Sequence, residues 1–93
     1  MAVTIQIPTA LRTYAGGNAS VSVDGTTVGE ALAALTGSYE GLARHLRDSE
    51  GRLRSFVNVY LNDEDIRFLD KEASALKDGD TLTIVPSIAG GRP

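Results

Sequence analysis

The sequence predicts an α+β fold in which one main helix lies across a mixed sheet of four to five strands. Three observations lead there: an alternating apolar run at the start of the chain, a single amphipathic helix pattern from Val28, and two strongly β-prone runs at 55–61 and 81–85. No second long amphipathic helix exists to receive the apolar stripe of the first, so that stripe has to cover a sheet.

Val3, Ile5 and Ile7 alternate with Thr4 and Gln6 and stop at Pro8, the period of a strand buried on one face. After a polar stretch containing Gly16-Gly17, Val21 and Val23 alternate with Ser20, Ser22 and Asp24, and Asp24-Gly25 marks a turn. The two runs form a hairpin with a long loop. Thr27 and Glu30 have the spacing of a capping box, and Val28, Ala31, Leu32 and Leu35 put apolar groups on one helical face. The helix is expected over 28–36, ended by Gly37. Tyr39 to Leu46 has the look of a short, irregular or one-turn helix whose Leu42 and Leu46 close one end of the core.

Ser55 to Leu61 is the best candidate for a central strand, with Val57, Val59 and Leu61 on one face and Phe56, Asn58 and Tyr60 on the other. Asn62-Asp63-Glu64-Asp65 breaks it, Ile66 to Leu69 is expected as a short strand, and Asp78-Gly79-Asp80 turns into a last strand, Thr81 to Val85, stopped by Pro86. Residues 1–86 thus make the folded domain. Residues 87–93, Ser-Ile-Ala-Gly-Gly-Arg-Pro, have no periodicity and no large polar anchor, and are expected as a flexible tail.

Composition narrows the function. With 93 residues there is room for one domain, and a domain of this size buries only about 60% of its unfolded surface, leaving little volume for an internal substrate cavity. That argues against an enzyme. No cysteine is present, so disulfides, thiolate metal sites and thiol nucleophiles are excluded. No apolar stretch reaches membrane length and no leader pattern follows Met1, which makes the cytoplasm the expected location. Nine basic against twelve acidic residues give a net charge of −3, and Arg44, Arg47, Arg52 and Arg54 are interleaved with acids and small residues instead of forming a stripe. Nucleic acid is therefore not expected as a partner.

Taken alone, Gly90-Gly91 reads as a frayed Gly-rich terminus with no role, and it is a resemblance that gives the tail one. Ser87 to Gly91 reaches roughly 17 Å when extended, enough to thread into another protein's active site while the domain stays outside. Gly90 and Gly91 lack a Cβ, so their backbone can enter a narrow channel. From Leu76 to Gly91 the chain is similar to the typical ending of the ThiS/MoaD sulfur carriers, and Phe56 to Phe68 most resembles the actinobacterial branch that feeds cysteine biosynthesis. The resemblance runs from Val3 to Gly91 and implies the ubiquitin-like β-grasp topology.

It also implies a cycle. A ubiquitin-activating-type enzyme adenylates the glycine carboxylate with ATP, a sulfur donor displaces AMP, and the thiocarboxylate passes sulfide to an acceptor synthase. In this cycle Gly90 and Gly91 are the working group and the carrier is a substrate, not a catalyst, with no cofactor of its own. This chain departs from the pattern by continuing to Arg92-Pro93, so the reactive carboxylate requires cleavage between Gly91 and Arg92, which in some members a JAMM-type zinc protease performs. No Gly-rich loop followed by Lys and Ser or Thr is present for self-adenylation. Molybdopterin, thiazole, a thiolated secondary metabolite or a transfer RNA base are alternative acceptors. A ubiquitin-like modifier joined through Gly91, or a plain interaction module, are alternative classes.

Elsewhere, Phe56, Tyr60 and Val85 face away from the expected core and suit docking to an activating enzyme. Asp63-Glu64-Asp65 lacks the calcium-loop pattern and is expected to be solvated, so no metal site is expected. His45, the only histidine, has no nucleophile to pair with and is expected solvated or at a helix end. Gly16-Gly17 is turn chemistry.

Overall fold

A computed structural model describes residues 2–54 and 57–86. Five strands, β1 (Ala2–Gln6), β2 (Ser20–Asp24), β3 (Val57–Leu61), β4 (Glu64–Asp65) and β5 (Thr81–Pro86), form one sheet in the order β2-β1-β5-β3-β4. β1 and β5 run parallel, and every other neighbouring pair is antiparallel. A parallel pair needs a crossover. Here it contains α1 (Val28–Ser38) and α2 (Glu40–Leu46), and α1 lays Val28, Ala31, Leu32 and Leu35 against the sheet.

The alternation of each strand decides what the sheet buries. Val3, Ile5, Val57, Val59, Leu82 and Ile84 point into the core with α1, and Leu42 and Leu46 of α2 complete it. Burying such a side chain stabilises by about 1.5–3 kcal/mol, so the single apolar face is the main driving force for this layering. Val21 and Val23 of the β2 edge strand are only half-buried but pack on the same core.

The N-terminus of α1 is capped as the Thr27–Glu30 spacing suggests, with one difference. Thr27 Oγ1 accepts from the Glu30 amide at 3.2 Å, but the Glu30 carboxylate reaches past the cap to Thr26, accepting from its amide at 2.8 Å and its hydroxyl at 2.7 Å. These bonds hold the Glu30 carboxyl below its ordinary value, the backbone bond contributing most. Another orphan donor of the first turn, the Val28 amide, bonds to the Ser74 carbonyl at 3.0 Å. Gly25 is required for space, since a Cβ there would stand 2.8 Å from the Ala31 backbone nitrogen.

Four local expectations need correction. Gly37 does not end α1, which continues to Ser38 and closes with the Tyr39 amide on the Leu35 carbonyl. A glycine inside a helix costs only about 1 kcal/mol, and half-buried Tyr39, packed on the core, holds the chain in place. The segment 40–46 is a regular α-helix of seven residues. Thr9–Ala15, expected as loop, is a 3-10 helix that buries Leu11 and Ala15. β3 is interior to the sheet as expected, with β5 on one side and β4 on the other, while β5 takes the middle position, because pairing between distant segments sets lateral order. Ile66–Phe68 is a 3-10 turn, and the short strand is Glu64–Asp65. The Asp65 carboxylate accepts from the Arg67 amide at 2.9 Å, which bends the chain and buries Ile66.

Candidate functional site

β5 leads to the C-terminal segment, so its surroundings define the candidate site. It is clamped on both sides, by β1 in parallel from Thr81 to Thr83 and by β3 in antiparallel register from Leu82 to Pro86. At its start, Asn62 replaces a strand residue. Its amide donates to the Thr81 carbonyl at 2.7 Å, and its Oδ1 accepts from the Thr81 amide at 3.1 Å. Asn62 sits at φ 56°, a left-handed conformation that asparagine tolerates better than most side chains. The turn before β5 uses Gly79 at φ 89°. β5 is therefore held at its base and along its length as far as Pro86.

Of the residues assigned to docking, Tyr60 and Val85 lie on one surface. Tyr60 is paired with Thr83 and Asn58 with Val85, while Val59 and Ile84 take the buried face between them. Tyr60 and Val85 are thus diagonal neighbours across β3 and β5, a separation of about 7–8 Å that an aromatic side chain can span. Val85 is 40% exposed and Tyr60 half-buried. The third docking residue, Phe56, lies outside the described residues, as do Gly90, Gly91 and Arg92. Around Tyr60 and Val85 the outer face carries Thr4, Gln6, Ser22, Asn58, Thr81 and Thr83, short polar groups that leave it open.

Beside β5, on the β1 side, is a cavity of about 410 Å³ lined by Gln6, Pro8, Thr9, Arg12, Ser20 and Thr83. Arg12 is fixed there by its Nε bond to the Ile7 carbonyl at 3.0 Å. Thr9 and Arg12 of the 3-10 helix form one wall of this cavity, which no local period in the sequence encodes.

The acidic run divides. Asp63 and Glu64 are exposed, whereas Asp65 is buried and paired through both oxygens with Arg67, Nη2 to Oδ2 at 2.8 Å. The Arg67 hydrogen bonds hold the Asp65 carboxyl below its ordinary value and push the Arg67 guanidinium up. Among the described residues no group of three His, Asp or Glu side chains could hold a metal ion. His45 is half-buried in the last turn of α2 with its ring 4.2 Å from that of Tyr14. Gly16 and Gly17 both take left-handed φ, as a turn requires. No helix among the described residues is long and apolar enough to cross a membrane.

A family model described as the ThiS family matches residues 5–91, which includes the central strand and the diglycine. The chain belongs to the ThiS family. The sulfur carrier protein CysO of Mycobacterium tuberculosis is 48% identical, the alignment covering 98% of this chain and all of that protein. A chain of the Amycolatopsis orientalis BexX/CysO complex superposes with a TM-score of 0.86 at 47% identity, covering 96% of this chain and 99% of its own. SAMP1, a small archaeal modifier protein from Haloferax volcanii, superposes at 0.85 with 30% identity, covering 98% and 100%. The fold is the ubiquitin-like β-grasp, a mixed five-stranded sheet with helices packed on one face, as the resemblance implied.

Proposed function

We propose that this chain is a sulfur carrier that donates sulfide from a thiocarboxylate at Gly91, with cysteine biosynthesis as the destination. One observation carries the reading. The family match extends through Gly91, and the diglycine follows a clamped β5 with only Ser87-Ile88-Ala89 between Pro86 and Gly90. Such a domain is a handle of 1–86 with a reactive end at 87–93.

The chemistry is divided between this chain and its partners. A carboxylate is a poor acyl donor, so the Gly91 carboxylate attacks the α-phosphorus of ATP in an adenylating enzyme and pyrophosphate leaves. A sulfur donor then displaces AMP, and an acceptor synthase takes the sulfide. Held beside the incoming sulfur, the acyl-adenylate reacts as in an intramolecular step. Arg92-Pro93 is first removed by hydrolysis of the Gly91–Arg92 bond, the work of a JAMM-type metalloprotease. The chain itself is a substrate and not an enzyme, and it works in the cytoplasm. Tyr60 and Val85, with Phe56, form the docking surface for the adenylating enzyme.

The intact mass of the protein recovered from its native host tests this. The expected species has lost Arg-Pro and is heavier than the Gly91 acid by the difference between sulfur and oxygen. A mass that still includes Arg92 and Pro93 in active cells overturns the reading. The resemblance to an archaeal modifier favours a second reading, conjugation through Gly91 to lysines of other proteins. A ladder of larger species resistant to thiols would distinguish it.

A further inference from the structure

The tertiary structure corrects one expectation about charge: the arginines interleaved in sequence are gathered in space. Two adjoining cavities lie between the end of α2 and the start of β3. One, of about 570 Å³, is lined by Arg44, Arg47 and Arg54, and the other, of about 390 Å³, by Arg52, Arg54, Arg67 and Lys71. Arg54 belongs to both, so they form one shelf. Six of the chain's nine Lys and Arg residues stand on it.

Three of the six are already paired, Arg47 with Glu72, Arg52 with Glu50 and Arg67 with Asp65. Among the described residues Arg44, Arg54 and Lys71 have no carboxylate partner, and Arg54 is held by its Nε bond to the Arg44 carbonyl at 2.9 Å. Counting Asp48, Glu50, Asp65 and Glu72 against the six cations, the shelf has a surplus of two positive charges in a chain of net charge −3. The surplus is local and opposite in sign to the rest of the surface. Leu53, Val57 and Ile66 line the second cavity and give it an apolar component.

We propose that this shelf docks an acidic, extended segment of the protein that receives the C-terminal tail. Its cations are spread over α2, the 47–54 loop and the 3-10 turns after β4, so they suit a row of carboxylates more than one small anion. The apolar lining takes a side chain between those carboxylates. A nucleic acid fits less well, because among the described residues no aromatic ring lines either cavity for base stacking and the acidic remainder of the chain repels a long polyanion. The position favours a tail-binding partner: Val57 of the second cavity pairs with Pro86, from which the chain continues to the diglycine. The choice of partner rests on the carrier reading, whereas the charge of the shelf does not.

The test is a titration of the isotope-labelled full chain with a synthetic peptide of alternating aspartate, leucine and glutamate, followed by amide NMR shifts. Binding is expected to move the amides of Arg44, Arg54, Val57 and Lys71, to weaken with added salt, and to weaken at least tenfold in the Arg44→Glu/Lys71→Glu variant. Both residues are exposed, so the variant is expected to fold, which its own spectrum checks. The Arg12→Glu variant is expected to bind like the parent. Unchanged peptide affinity in Arg44→Glu/Lys71→Glu, or tighter binding of an oligothymidylate than of the peptide, overturns the proposal. The intact mass of the sulfur-loaded variant separates the two readings, since a shelf that binds no peptide on a chain that still gains sulfur leaves the carrier function standing.

Discussion

Asn62 is bonded to Thr81 in both directions, its amide donating to the Thr81 carbonyl and its Oδ1 accepting from the Thr81 amide. This pair joins the end of β3 to the start of the strand that leads to the diglycine. Asn62→Ala removes two side-chain bonds, the one accepted from the Thr81 amide and the longer one that Nδ2 donates to Asp80 Oδ1 at 3.4 Å, and places a Cβ residue without local polar compensation at φ 56°. The expected loss is about 1–2 kcal/mol by urea unfolding. Asn62→Gly tolerates the φ and loses only these bonds, so it is expected to cost less. Equal costs would mean that conformation plays no part.

Gly25 packs so closely on the first turn of α1 that an added Cβ meets the backbone of Ala31 and Glu30 within 3.3 Å. Backbone cannot rotate away as a side chain can. Gly25→Ala is therefore expected to destabilise by about 1–3 kcal/mol, read as a fall in thermal midpoint. Gly37→Ala, where nothing lies within 4 Å of the added Cβ, is expected to be neutral or stabilising.

Asp65 supplies an acid-sensitive contribution to stability. Its folded value is depressed below the ordinary 3.8 by Arg67, so the unfolded chain binds the proton first as pH falls. The stabilisation is present above the unfolded value and is lost as pH falls through the folded one. Unfolding free energy measured across the acid range is expected to drop more steeply for the parent than for Asp65→Asn. Parallel curves would remove Asp65 from the acid response.

Tyr60 and Val85 share the open outer face, and neither belongs to the buried cluster. The Tyr60→Ala/Val85→Ala variant is expected to stay folded yet lose at least about tenfold in kcat/KM as a substrate of its adenylating enzyme, about 1.4 kcal/mol of docking energy. Adenylation at the parent rate would relocate the docking surface, with the basic shelf beside Val57 as the next place to look.

Much of this architecture was legible in the chain. The period of two in Val3-Thr4-Ile5-Gln6-Ile7 and in Val57 to Leu61 identified the strands and their buried faces, and Thr27-x-x-Glu30 located the helix start. These signals are local: the pleat and the helical turn act on residues a few positions apart. The diglycine and the family pattern around it were legible for the same reason, being written in consecutive residues.

Tertiary structure alone decided the rest. Whether β3 or β5 takes the centre depends on the parallel pairing of Thr4–Gln6 with Thr81–Thr83, residues more than seventy positions apart, which no local period encodes. The shelf of Arg44, Arg47, Arg52, Arg54, Arg67 and Lys71 is the same kind of result. In sequence these cations alternate with acids and small residues. The packing of α2, the loop after it and the turn after β4 on one side of the core brings them together, because the apolar residues between them, Leu46, Leu53 and Ile66, all seek that core.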